Sequence, residues 1–134
     1  MVKQMEITYK DTQLKSINTS IEGISGGELE RKNSLMFDAV YEDEIQNIIV
    51  RNEEKIVLDG EQVLFQITLE SHFTCDEKIE DIRTILDVSE ERERLTIPVL
   101  SESSLIIGFI TGKLFGIPMV VAPMETEMET ENDE

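Results

Sequence analysis

Several groups of residues in this chain have the types that chemistry uses, and their spacing decides against each. Gly23-Ile24-Ser25-Gly26-Gly27 has the Gly-x-Ser-x-Gly spacing of a nucleophile elbow. An elbow needs a buried strand before it, a helix after it, and an acid and a histidine later in the chain. Here the preceding segment is polar and residues 28–33 are weak helix formers, so the motif reads as a flexible turn. Residues 108–114 approach a phosphate-binding loop, but the spacing is one residue short and Leu114 stands where Ser or Thr is required. Its glycines also fall inside a helical pattern rather than before one. His72 is the only histidine and lies on the polar side of a strand. His72 with Cys75 is too small a set for zinc, and Cys75 has no neighbouring base to activate it. Carboxylates are abundant, yet none sits in an apolar context that would raise its pKa. The sequence therefore points away from an enzyme, a metal site and a cofactor.

Bulk composition narrows the function classes further. The chain has 134 residues, about the size of one domain, and carries 29 acids against 12 Lys and Arg for a formal charge of −17. A nucleic-acid binder would show a basic face, and docking on anionic lipid would need basic clusters. A hydrophobic share of 40% is enough for a real core. The single cysteine excludes a disulfide within the chain and fits a reducing, cytoplasmic setting. The N-terminal residues lack the apolar core of a secretory signal. Residues 105–122 are mostly apolar, but Lys113 near the middle and Pro118 argue for a buried helix followed by a strand rather than a membrane span.

The elements that would carry any site follow from periodicity. Met5, Ile7 and Tyr9 alternate as in a half-buried strand, and residues 10–34 read as a long polar loop with at most an edge strand near 14–21. Leu35, Phe37, Ala39 and Tyr41 mark a second strand. A third covers 45–58, with a break or bulge expected near Asn52-Glu53-Glu54. Asp59-Gly60 suits a tight turn with positive φ at both residues. Residues 62–74 form the clearest strand: Val63, Phe65, Ile67, Leu69 and Phe73 on one side, Gln66, Thr68, Glu70, His72 and Thr74 on the other. Ile79, Ile82, Ile85 and Leu86 recur at helical spacing, with Asp76 as a cap. Residues 89–94 read as a solvated turn, and 96–100 as a short apolar run around Pro98. A second helix is predicted over 102–115, capped by Ser101 or Ser103 and apolar almost all round. Along it Ser104, Gly108, Gly112 and Gly116 fall four apart, a stripe that lets another backbone approach closely. Packing within the chain and a contact between subunits both fit this stripe. Residues 119–122 read as a short buried strand or extended arm. Residues 1–123 thus form one domain, and 124–134 an acidic, disordered tail.

From residue 48 to residue 123 the order of elements resembles the SecB protein-export chaperone family, and in particular an uncharacterised Gram-positive branch of that fold. The likeness is carried by Asp59-Gly60-Glu61-Gln62-Val63-Leu64-Phe65, by Leu95-Thr96-Ile97-Pro98, and by Ile110-Thr111, Ile117-Pro118 and Ala122-Pro123. It implies an α+β fold, a four-stranded antiparallel sheet with two helices packed on one face. It also implies a homo-oligomer, a dimer or dimer of dimers, with sheets and long helices in the contacts. That family binds unfolded chains along apolar grooves and hands preproteins to the SecA motor. Ile106, Phe109, Phe115 and Met119 are the residues that would line such a groove. Val99-Leu100-Ser101-Glu102, Gln66, Thr68 and Ser71-His72 depart from the family pattern, so motor docking is not part of the expectation. The alternative is an adaptor that binds one specific folded partner without chaperone activity.

Overall fold

The computed structural model describes residues 6–19 and 27–124. The elbow motif up to Gly26 and the acidic tail from residue 125 lie outside the described residues. Four antiparallel strands form one sheet: β1 (Ile7–Thr19), β2 (Leu29–Glu42), β3 (Ile45–Leu58) and β4 (Gln62–Cys75). They lie in the order β1-β4-β3-β2, so β2, β3 and β4 follow one another by hairpins while β1 returns to the far side of β4. This is a Greek-key arrangement. Two helices follow, α1 (Ile82–Leu86) and α2 (Ser89–Phe115).

One face of the sheet carries the core. Ile48, Val50 and Ile56 of β3 sit opposite Phe73, Ser71 and Phe65 of β4, and all are buried. Leu95, Val99, Leu100 and Ile107 of α2 close on that layer. Fully burying such a side chain stabilises by about 1.5–3 kcal/mol, which fixes the register because a one-residue slip would expose the row. The predicted row is found except at its first member. The pairing passes from Ile56↔Phe65 to Val57↔Val63, so Leu64 is an extra, bulged residue. The bulge reverses the parity: Val63 lands on the other face and is 39% exposed, while Leu64 is fully buried.

Other expectations need correction. β1 is one strand from Ile7 to Thr19, not a short strand followed by a loop, and it shifts register between Tyr9 and Asp11 and between Leu14 and Ser16. Those shifts erase the period of two. β2 begins at Leu29, in a polar stretch, and β3 is unbroken through Asn52-Glu53-Glu54. Asp81 rather than Asp76 caps α1, its carboxylate accepting from Arg83 N–H at 3.0 Å. α2 is a single helix of 27 residues that runs through Pro98 and has no side-chain cap at Val88. Proline there removes only the bond to the Arg94 carbonyl. The burial of Leu95, Val99 and Leu100 around it holds the helix together. Its C-terminal end is the predicted one, Phe115, and Gly116 caps it with a φ of 82°, the left-handed conformation that terminates a helix. Residues 119–122 form an extended arm, with no strand pairing.

Both hairpins turn through positive φ. Asp59 and Gly60, at 54° and 76°, match the expectation. The β2–β3 turn uses Asp43 and Glu44 at 53° and 64°, with no glycine. A left-handed non-glycine residue costs about 1–2 kcal/mol. Glu44→Gly should therefore raise stability by about 0.5–1 kcal/mol after glycine's own entropy is counted. Urea unfolding measures this, and an unchanged or lowered midpoint contradicts it.

Candidate functional site

The helix face of the sheet is incompletely covered. α2 lies over β3 and β4, which leaves two flanks. On the β1 flank Tyr9, Leu14 and Ile17 share the side of the core residues Phe73, Leu69 and Ile67 to which they pair, yet each stays close to half exposed. On the β2 flank the chain leaving α2 fills the space.

That filling is built around the predicted stripe. A Cβ placed on Gly112 would touch Pro118 at 3.6 Å, and one on Gly108 would meet the Met119 carbonyl at 3.7 Å. Gly108 and Gly112 thus seat residues 117–124, a strap that folds back along α2. Gly116 has open space around it and serves the turn instead. Ser104 continues the stripe, with a buried hydroxyl that has no hydrogen-bond partner. The Met119 N–H donates to Thr111 Oγ1 at 2.6 Å. Across the gap, Arg31 Nη1 donates to the Ala122 carbonyl at 2.6 Å and Asn33 Nδ2 to the Met124 carbonyl at 3.2 Å.

Those two donors stand on a buried polar cluster that sequence reasoning missed. Arg31 grips Glu54 through Nε at 2.9 Å and Nη2 at 2.6 Å. Asn33 and Asn52 each donate to the same carboxylate at 3.1 Å, and Asn52 also donates to Ser103 Oγ at 2.8 Å. Glu54 is wholly buried. A buried carboxylate persists only when paired and hydrogen-bonded, and the bidentate Arg31 fork meets that demand. The signal in the sequence was Asn52 and Glu54 breaking the apolar alternation of β3, which reads equally well as a bulge.

The candidate groove residues are distributed over this surface rather than gathered in a pocket. Ile106 and Met119 are half-buried against the core, Phe109 is 66% exposed, and Phe115 lies at the helix end, 38% exposed. Leu105, one turn before Phe109, is 69% exposed, and Ile117 and Val120 of the strap reach 76% and 89%. The C-terminal half of α2 and the strap thus present an apolar surface on a strongly acidic protein, a feature that marks interaction sites.

The opposite sheet face is polar. Glu70 accepts from Arg51 Nε at 3.0 Å, and His72 Nδ1 lies 2.8 Å from Asp11. Burial alone would raise the Glu70 pKa, but the Arg51 guanidinium, with Lys15 and His72, holds it below the usual carboxylate range. The His72 hydrogen bond, then that of Gln13, does the same for Asp11. Burial pushes the Cys75 thiol up, away from reactivity. No group of three or more metal-binding side chains forms among the described residues. A lowered carboxylate pKa in the folded state gives stability that is present above the unfolded pKa and is lost as pH falls through the folded one. Wild type should therefore lose more stability between about pH 5 and pH 3 than Glu70→Gln, since the unfolded pKa is about 4.3. Both share the falling net charge, so their difference in urea midpoints isolates Glu70. Parallel pH profiles would remove this assignment.

No family model matches the chain, and no curated protein matches it in sequence. Its fold does match solved structures. The SecB-like chaperone of Mycobacterium tuberculosis, solved in complex with a ChAD peptide from the HigA1 antitoxin, is similar at a TM-score of 0.65 and 12% identity, over 89% of this chain and 88% of that one. A protein of unknown function from Streptococcus agalactiae is similar at a TM-score of 0.60 and 14% identity, over 90% of this chain and 99% of that one. The four-stranded sheet with its two helices is thus a SecB-like fold.

Proposed function

We propose that this protein binds extended apolar segments of other polypeptides, as a holdase for non-native chains. The observation that carries this reading is the exposed row Leu105, Phe109 and Phe115 on α2, beside the strap. A chain with a net charge of −17 stays soluble despite such a surface, and Lys113, whose Nζ lies 5.5 Å from the Phe109 ring centroid, sets a cation at its margin. The SecB-like neighbour bound to an antitoxin peptide supports polypeptide binding at the level of the fold. That peptide comes from a single named partner, and this favours a second reading: an adaptor for one dedicated protein.

The protein acts without catalysis in this reading. Its buried acid is consumed by Arg31 and two asparagines, and its thiol is buried and poorly acidic. It works in the cytoplasm as a homo-oligomer. The half-exposed Tyr9, Leu14 and Ile17 lie on the edge strand β1, and an exposed apolar edge is a natural place for a second copy. α2 is long and apolar enough to cross a membrane, but its inner face is committed to the sheet.

Light scattering from an aggregating unfolded client tests the proposal. Suppression near a one-to-one ratio, lost in Leu105→Ser/Phe109→Ser, supports the holdase. No suppression, together with a single strong partner in pull-downs, supports the adaptor. Sedimentation that finds only protomers removes the oligomer.

A further inference from the structure

The strap is held in an unusual way for a piece of the fold. Among the described residues, the hydrogen bonds between it and the body go to its main chain: Thr111 accepts from the Met119 N–H, Arg31 donates to the Ala122 carbonyl and Asn33 to the Met124 carbonyl. Its side chains are largely ignored. Ile117 and Val120 are 76% and 89% exposed, and only the alternate residues Met119 and Val121 pack partly against the core. Main-chain bonds combined with shallow seats for every second side chain are how a protein reads an extended peptide of variable sequence.

The seat is also organised ahead of its occupant. Glu54 clamps Arg31 by two hydrogen bonds and so leaves Nη1 aimed at the Ala122 carbonyl. Asn33 spends one donor contact on Glu54 and another on Met124. Thr111 is fixed by donating to the Ile107 carbonyl at 2.7 Å, which leaves its oxygen to accept from the strap. The glycines opposite let a peptide backbone lie against α2.

Resting on the polypeptide-binding reading above, we infer that residues 117–124 are an intramolecular occupant of the ligand groove and that a client displaces them. The client is an extended segment with apolar side chains two residues apart, taking the places of Met119 and Val121. It needs no charge, and it gains most where its side chains are larger than the valine and methionine it replaces. The strap competes from within the same molecule, so it lowers apparent affinity by the fraction of time the groove is closed.

A reversible lock tests this in the full-length protein. The 3.6 Å separation between a Cβ at Gly112 and that of Pro118 suits a disulfide, whose Cβ atoms stand about 3.5–4.5 Å apart. Oxidised Gly112→Cys/Pro118→Cys should lose capture of a fluorescent, permanently unfolded client, and reduction should restore it. Met119, expected as a groove wall, belongs to the occupant in this inference, so weakening the occupant with Met119→Ser/Val121→Ser leaves the walls on α2 and β2 intact and should raise client affinity about tenfold or more. Cooperative thermal unfolding of each variant shows that the fold is kept. If the locked form captures client as well as the reduced form, the inference is overturned while polypeptide binding stands. If no form binds client, both fail. If the locked form stays active but loses a dimer seen in the reduced form, the strap is a subunit-exchange arm and the inference is again overturned.

Discussion

Arg31→Ala should destabilise the protein by about 3–5 kcal/mol, the usual effect of stripping one partner from a buried ion pair. The magnitude follows from what remains. Glu54 has no exposure and would keep only the two asparagine donors. The guanidinium also supplies the bond to the Ala122 carbonyl, so the strap loosens as well. Most domains hold only about 5–15 kcal/mol in total, so the variant would unfold at clearly lower denaturant. The companion Arg31→Met/Glu54→Leu separates the two contributions. Replacing both charges with apolar groups of similar size is commonly neutral or stabilising, so the double variant should recover most of the lost stability without restoring the strap's bond. Urea unfolding of both variants checks this. A loss below 1 kcal/mol for Arg31→Ala would mean that Glu54 is not committed to this partner.

How much of this was legible in advance depended on whether side chains kept a strict period. β3 and β4 are legible because Ile48, Val50, Ile56 and the row from Phe65 to Phe73 keep one parity, interrupted at Asn52, Glu54 and Ser71, and because Asp59-Gly60 announces its turn. β1 reads as mostly loop because two register shifts put its inward residues at Ile7, Tyr9, Thr12, Leu14, Ile17 and Thr19, a spacing no strand template matches. The first half of β2 was lost because its inward positions, Arg31 and Asn33, are polar for a reason visible only in three dimensions: they serve Glu54 and the strap. α2 was split because Pro98 and the charged run before it look like a boundary, while the packing that overrides them is tertiary. The small-residue stripe was visible, but not its neighbour. Spacing shows that a backbone can approach, not whose backbone it is, and here Gly108 and Gly112 face the chain's own Pro118 and Met119.

Phe73→Ala should cost about 3–5 kcal/mol, the range for removing a buried aromatic ring. Phe73 is 2% exposed and sits opposite Ile48 on one side and Tyr9 on the other. Its ring meets that of Tyr9 edge-on, with centroids 5.5 Å apart. Truncation therefore opens a cavity in the central layer and also frees Tyr9, one of the half-exposed residues on the edge strand. The next residue along, Thr74, points to the polar face, so Thr74→Ala should change stability by less than about 0.5 kcal/mol. The contrast between adjacent positions tests the two-faced sheet directly, because a shifted register would exchange the two results. Phe73→Leu keeps most of the volume and should lose distinctly less than the alanine variant. Equal losses at positions 73 and 74, measured by chemical denaturation, would show that the apolar row does not lie beneath α2. The surface proposed for polypeptide binding would then lose the platform that holds Phe109 and the strap in place.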